Sequence, residues 1–220
     1  MNRLKTEYMK TKIFNLIIID ESGSMHCIKK EAIDSVNETM QTIRAAETEN
    51  EDQEHFVTLV TFNDNVRTVY EKMPVADVEE LNGETYQPRF STAALYDAMG
   101  RALSTLRLQV AANDRVLVTI VTDGYENASR EYDGKAVKAL VDELKAQGWV
   151  FAYIGANHDV KQSAATLSIR NAMIFQTTSE GTRQMSECVN RSRSDFFSRL
   201  SSQNFDAAAE NEHFFDNHEN

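Results

Sequence analysis

Apolar residues along this chain recur with two different spacings. Short runs rich in Val, Ile, Phe and Thr cover residues 13–20, 55–62, 66–70, 115–122, 149–155 and 172–176, and each predicts a strand. Between them the apolar residues shift to three- and four-residue spacing. Ile28, Ala32, Val36, Met40 and Ile43 form one such stripe, Leu95, Met99, Leu103, Leu106 and Val110 a second, and Val137, Leu140, Val141 and Leu144 a third. Each stripe predicts an amphipathic helix, and a last helix is expected over 179–200. Strands alternating with helices predict an α/β fold, a doubly wound and mostly parallel sheet with helices on both faces. Phe62 and Val66 break the alternation. Only Asn63, Asp64 and Asn65 separate them, too few for a helical crossover, so an antiparallel hairpin is expected at one edge.

Residues 73–91 hold both prolines, Pro74 and Pro88, and read as a loop with room for one short helix. Residues 201–220 carry five acids and no Lys or Arg, a composition that predicts a disordered tail. The division expected is therefore an N-terminal extension over 1–12, one domain over 13–200 and the acidic tail, with Phe205, Phe214 and Phe215 as a candidate docking motif within that tail.

Composition narrows the function. At 220 residues, 41% apolar and 26% charged, the chain can build one substantial core. A formal charge of −11 argues against nucleic-acid and anionic-membrane binding, which need clustered Lys and Arg, and favours metal ions or basic partners. Two cysteines, Cys27 and Cys188, lie far apart and suggest neither a disulfide framework nor a zinc site, so a reducing, cytoplasmic setting is expected. The first apolar run contains Asn15 and ends at Asp20, unlike a secretion signal. No stretch approaches the roughly 20 residues of a membrane span. The sequons at Asn37, Asn127 and Asn190 are accordingly read as chance matches.

The candidate chemistry lies where strands end. Asp20 closes the first strand and is followed by Ser22 and Ser24, giving DxSxS; Asp123 closes the fourth, in "VTDG". Ligands of open α/β sheets bind beyond the carboxyl ends of the strands. If these two strands are neighbours, two carboxylates and two hydroxyls share one crevice. That all-oxygen set suits a hard divalent cation, Mg²⁺ first, with Mn²⁺ or Ca²⁺ as alternatives. The competing reading of Asp20 and Ser24 is helix capping, and of Asp123 a turn before Gly124.

DESGS followed by Met25, a downstream Thr before "LYDA", and "VTDG" resemble the three loops of the metal-ion-dependent adhesion site of von Willebrand factor type A domains. The similarity runs over residues 13–199, nearly the whole chain without its tail. It implies a Rossmann-like fold, with Asp20, Ser22 and Ser24 from the first loop, Thr92 from the second and Asp123 from the third holding Mg²⁺. It also implies a partner's Asp or Glu at the open position. In the usual pattern the second-loop Thr stands two residues before the Leu of "LYDA", where this chain has Ala93. An extra residue in the loop would leave Thr92 in place; otherwise a hydroxyl ligand is lost.

The function expected from the resemblance is a non-enzymatic, Mg²⁺-dependent protein-binding module, an intracellular bacterial or phage-type member working with an ATPase or assembly partner. Two other classes compete: a metal-dependent phosphohydrolase using Asp20, and a metal-free scaffold. The first loop has Ser22 where a dehalogenase-like hydrolase would need a second Asp, and no Walker loop, Ser-His-Asp set or dinucleotide fingerprint is found. His158 is the one candidate base near the crevice, while Asn157 or Asp159 as a helix cap explains its segment equally well. Asp97 is expected to bind loop backbone, Glu21 and Glu126 to be solvated rim acids, and Met25 and Met40 to fill the core.

Overall fold

The computed structural model describes residues 10–89, 91–156, 159–202 and 204–216. The elements run β1 (Thr11–Asp20), a 3-10 turn (Gly23–Ile28) leading into α1 (Lys29–Glu49), β2 (Gln53–Phe62), β3 (Val66–Pro74), α2 (Leu95–Leu106), β4 (Arg115–Thr122), α3 (Gly134–Ala146), β5 (Val150–Gly155), α4 (Val160–Thr166), β6 (Ala172–Ile174), α5 (Ser179–Leu200) and α6 (Ala207–His213). The strands form one sheet in the order β3-β2-β1-β4-β5-β6. β3 alone is antiparallel, hairpinned onto β2 at the edge as the three-residue connection requires.

β1 is central and buried on both sides, which is why its apolar run is continuous rather than alternating. Successive side chains serve opposite faces. Ile13, Ile17 and Ile19 join the core beneath α1 and α5, whereas Phe14, Leu16 and Ile18 join the core beneath α2, α3 and α4. Met25 and Met40 are core residues, as expected.

Three expectations need correction. β1 starts at Thr11 and β2 at Gln53, because Thr11 and Lys12 pair with Gln53 and Glu54; two residues assigned to the N-terminal extension belong to the sheet. These strand ends are polar, and hydrophobic pattern cannot see a ladder made by backbone. α4 has only 7 residues, too few to show a period.

The tail is the largest difference. Over the described residues 204–216 it folds back as α6, with Asp206 accepting from Ala208 N at 2.9 Å, and Phe214 and Phe215 are buried in the core. Arg199 Nε and Nη2 bind the Glu210 carboxylate at 2.6 and 2.8 Å. A count of charges suggested disorder, but apolar burial and hydrogen bonds to main chain offset the entropy of ordering. The phenylalanines are thus core anchors rather than an exposed motif.

Candidate metal centre

β1 and β4 are adjacent and in parallel register, Ile19 opposite Val121, so Asp20 and Thr122 emerge side by side at the carboxyl edge. Asp20 has no exposed surface. Its Oδ1 accepts from Ser22 N at 2.7 Å and its Oδ2 from Thr122 Oγ1 at 2.7 Å. Ser22 Oγ lies 3.3 Å from Ser24 Oγ, and Ser24 Oγ donates to Asp123 Oδ1 at 2.6 Å. Four of the five residues singled out from sequence therefore form one chain of oxygens across two loops. Helix capping does not explain them: Ser22 holds the N-cap position of the 3-10 turn without a side-chain cap bond, and Ser24 turns away toward Asp123.

Thr92 is not part of that chain. It is exposed and lines a neighbouring cavity with Asp64, Asn65 and Asp97. The residues after it are fixed: Ala94 N donates to Asn63 O at 2.7 Å, and Ala93 N to Asn127 Oδ1 at 2.9 Å. The residue displaced by one position relative to the usual pattern is the one that stands apart.

The first loop is held from outside as well. Buried Tyr86 donates its hydroxyl to Asp20 O at 2.6 Å, Glu21 N binds Phe62 O at 2.6 Å, and Arg89 N binds Glu21 O at 3.1 Å. Glu21 is no solvated rim acid: its carboxylate is buried against Arg67 Nη2, at 3.2 and 3.1 Å, and receives Gln87 N. Glu126 likewise caps the start of α2 through Tyr96 N and accepts from Ala128 N and Ser129 N. Asp97 accepts from the main-chain N–H groups of Arg130, Glu131 and Tyr132, the backbone role expected of it. Asp159 stands at the N-cap position of α4 without a side-chain cap bond and accepts from Tyr125 Oη at 2.8 Å. Asn157 and His158 lie outside the described residues.

Electrostatics test whether a cation fits. Burial raises the pKa of Asp20 against its hydrogen bonds. Asp123 is raised by burial and by the negative charge of Asp20. Tyr86 is pushed well above its ordinary value by burial, then by Asp20, Glu21 and Asp123. No lysine or arginine is among the influences on either aspartate. Among the described residues no group of three or more His, Cys, Asp or Glu side chains gathers at metal-binding separations; what meets here is the carboxylates of Asp20 and Asp123 with the hydroxyls of Ser22, Ser24 and Thr122. That donor set matches a hard divalent ion. Gly124 borders the site: a Cβ there would make ordinary contact with Asp20 Oδ2 at 3.7 Å and Ser24 Oγ at 4.0 Å.

Sequence reading missed Thr122 and the role of Tyr86. Thr122 is a hydroxyl at the last position of an apolar strand, a visible signal; the Tyr86 contact spans 66 positions and left none.

The family model described as von Willebrand factor type A domain matches residues 16–187. No curated protein matches the sequence. Among solved structures, pilus adhesin SpaC of Lactobacillus rhamnosus GG is similar at 12% identity and TM-score 0.63, over 87% of this chain and 31% of the adhesin. Proximal thread matrix protein 1 of the mussel byssus, with a zinc-occupied MIDAS motif, is similar at 15% identity and TM-score 0.57, over 84% of this chain and 46% of that protein. A von Willebrand factor type A protein of Catenulispora acidiphila follows at 16% and 0.54, over 81% and 42%. The chain spans less than half the length of these relatives, and at such identities the likeness is one of fold.

Proposed function

This chain belongs to the von Willebrand factor type A domain family, and on that premise we propose that it is a non-enzymatic, metal-dependent protein-binding module. Asp20, Ser22, Ser24 and Asp123 are the residues that would hold Mg²⁺, with Thr92 assigned the second-loop oxygen, directly or through water. The observation that carries the reading is the Ser24–Asp123 bond at 2.6 Å, which ties the first loop to the third and brings a half-buried carboxylate beside the fully buried Asp20.

A bound divalent ion would supply positive charge that two carboxylates balance only formally, leaving a vertex attractive to an outside carboxylate. The protein's own residues do the rest. Thr122 and Ser22 N orient Asp20, Tyr86 fixes the loop that carries it, and Gly124 borders the site. An acidic side chain of a partner protein is the ligand this arrangement suits, and an ATPase or assembly factor is the partner class the family resemblance suggests. Zinc in the mussel protein is a property of that protein; the hard oxygen set here favours Mg²⁺. A cytoplasmic setting is in keeping with Cys27 and Cys188 not being joined in a disulfide, and among the described residues no helix is long and apolar enough to cross a membrane.

Calorimetric titration with Mg²⁺ and Mn²⁺ tests the reading. Binding heat is expected for the wild type and its loss for Asp20→Ala; equal heats would overturn the site. Recovery of partners from a lysate with and without chelator then tests whether the ion carries the interaction.

A further inference from the structure

The largest fully buried side chain is not apolar. Arg193, on the inner face of α5, is 1% exposed. Its Nη2 donates to Thr119 Oγ1 at 2.8 Å and its Nη1 reaches Asn15 Oδ1 at 3.4 Å, both neutral partners on the sheet. Its Nε has no hydrogen-bond partner. Burial draws its pKa down to about 10, and no carboxylate opposes that shift. His55, which burial and then the charge of Arg193 hold neutral, is no countercharge in either of its protonation states.

Leaving a buried cation without a countercharge costs several kcal/mol. Neutral hydroxyl and amide partners recover only part of it. Arg193 and Thr119 also line a cavity of about 30 Å³ between α1, α5 and the sheet, whose walls are otherwise almost wholly apolar, Ile154 and Met185 among them. One water needs roughly 10–15 Å³, so there is room for a small ion but not for an oxyanion with its shell. Thr119 Oγ1 accepts from Arg193 and retains its own proton to donate.

We propose that this cavity is a binding site for one small monovalent anion of chloride size, held against the Arg193 guanidinium and the Thr119 hydroxyl. The anion supplies the negative charge that the described residues leave out, and it bridges α5 to the sheet. The site lies inside the core and is independent of the proposed metal centre.

The test uses the full chain with chelator present, so that no halide is recruited by a metal. Unfolding midpoints are compared in sodium chloride and in sodium gluconate at equal ionic strength. General salt effects favour the more excluded gluconate, so a chloride-specific gain stands out against them. A chloride tenfold above its Kd should raise Tm by about 3 °C, with the same response to bromide and none in Arg193→Met. Equal midpoints in the two salts, or a chloride response that survives Arg193→Met, would overturn the site. Should Arg193→Met fail to fold, anomalous diffraction from wild-type crystals grown in bromide decides: a peak beside Arg193 is expected, and water alone in the cavity overturns the proposal.

Discussion

The two ends of the sheet treat their polar groups in opposite ways. At the amino end of β5, every polar atom of two buried asparagines is matched. Asn211 Nδ2 donates to Trp149 O at 2.8 Å while its Oδ1 accepts from Phe151 N at 3.0 Å. Asn171 Nδ2 donates to Phe151 O and Glu210 O at 3.0 and 2.8 Å, and its Oδ1 accepts from Phe214 N at 3.1 Å. Phe214 packs against Phe196 and Phe215 over this closed end. At the carboxyl end, burial raises both Asp20 and Asp123, and the charge of Asp20 raises Asp123 further, with the Ser24 hydroxyl bonded to Asp123. Satisfied polar groups fasten an element in place, and frustrated charges leave a place for something else. The first end serves stability, and the second is the end where binding is proposed.

Mutations at the two ends should therefore separate cleanly. The largest effect is expected at the closed end: Phe214→Ala should lower stability by about 3–5 kcal/mol in urea titration, while Mg²⁺ affinity stays unchanged. A loss of metal binding in that variant would merge the two ends. Acid should act on them with opposite sign. His55 has a folded pKa lowered to about 4 by burial and Arg193, so the unfolded chain takes up its proton first. Stability from His55 is then full above about 6.5, is lost between about 6.5 and 4, and amounts to at most about 3 kcal/mol. The two aspartates are raised, so the folded state holds their protons more tightly and acid stabilises that end. In chelator, His55→Gln should flatten the acid limb of the stability curve, measured by denaturant midpoints at successive pH.

Asp123→Asn sharpens the comparison further. It should raise the urea midpoint of the metal-free chain by relieving repulsion, yet weaken Mg²⁺ binding by on the order of 100-fold. Stability and affinity falling together would mean that Asp123 is a structural group. The smallest effect is expected for Thr92→Ala, at most about tenfold in Mg²⁺ affinity by calorimetry, because its hydroxyl stands outside the oxygen chain. A loss equal to that of Asp20→Ala would place Thr92 among the principal ligands.

Local pattern was legible where it repeats. The continuous apolar run of β1, the helix period of α2 and the three-residue hairpin connection before β3 each have one structural solution, and the structure contains it. DxSxS and VTDG were legible as strand ends because each carboxylate closes an apolar run, and the structure sets Asp20 and Thr122–Asp123 at the same edge of the sheet. Glu21 and Glu126 were misread because a side chain's solvation depends on what meets it, here Arg67 and the start of α2. The tail was misread for the same reason, since composition weighs its acids without knowing that Arg199 and the backbone of β5 await Glu210 and Asn211.

By itself, then, the sequence determined the element order, the parallel sheet with its one reversed edge, and the strand ends that carry Asp20 and Asp123, all consequences of short-range periodicity and backbone geometry. Only the tertiary structure decided that Ser24 reaches Asp123 across 99 positions, that Thr92 stands apart, that Phe214 and Phe215 of the tail are core and that Arg193 is buried with no countercharge among the described residues. The reason is physical. Hydrogen bonds and electrostatic penalties depend on distance in space, and residues far apart in the chain carry no local sign of meeting.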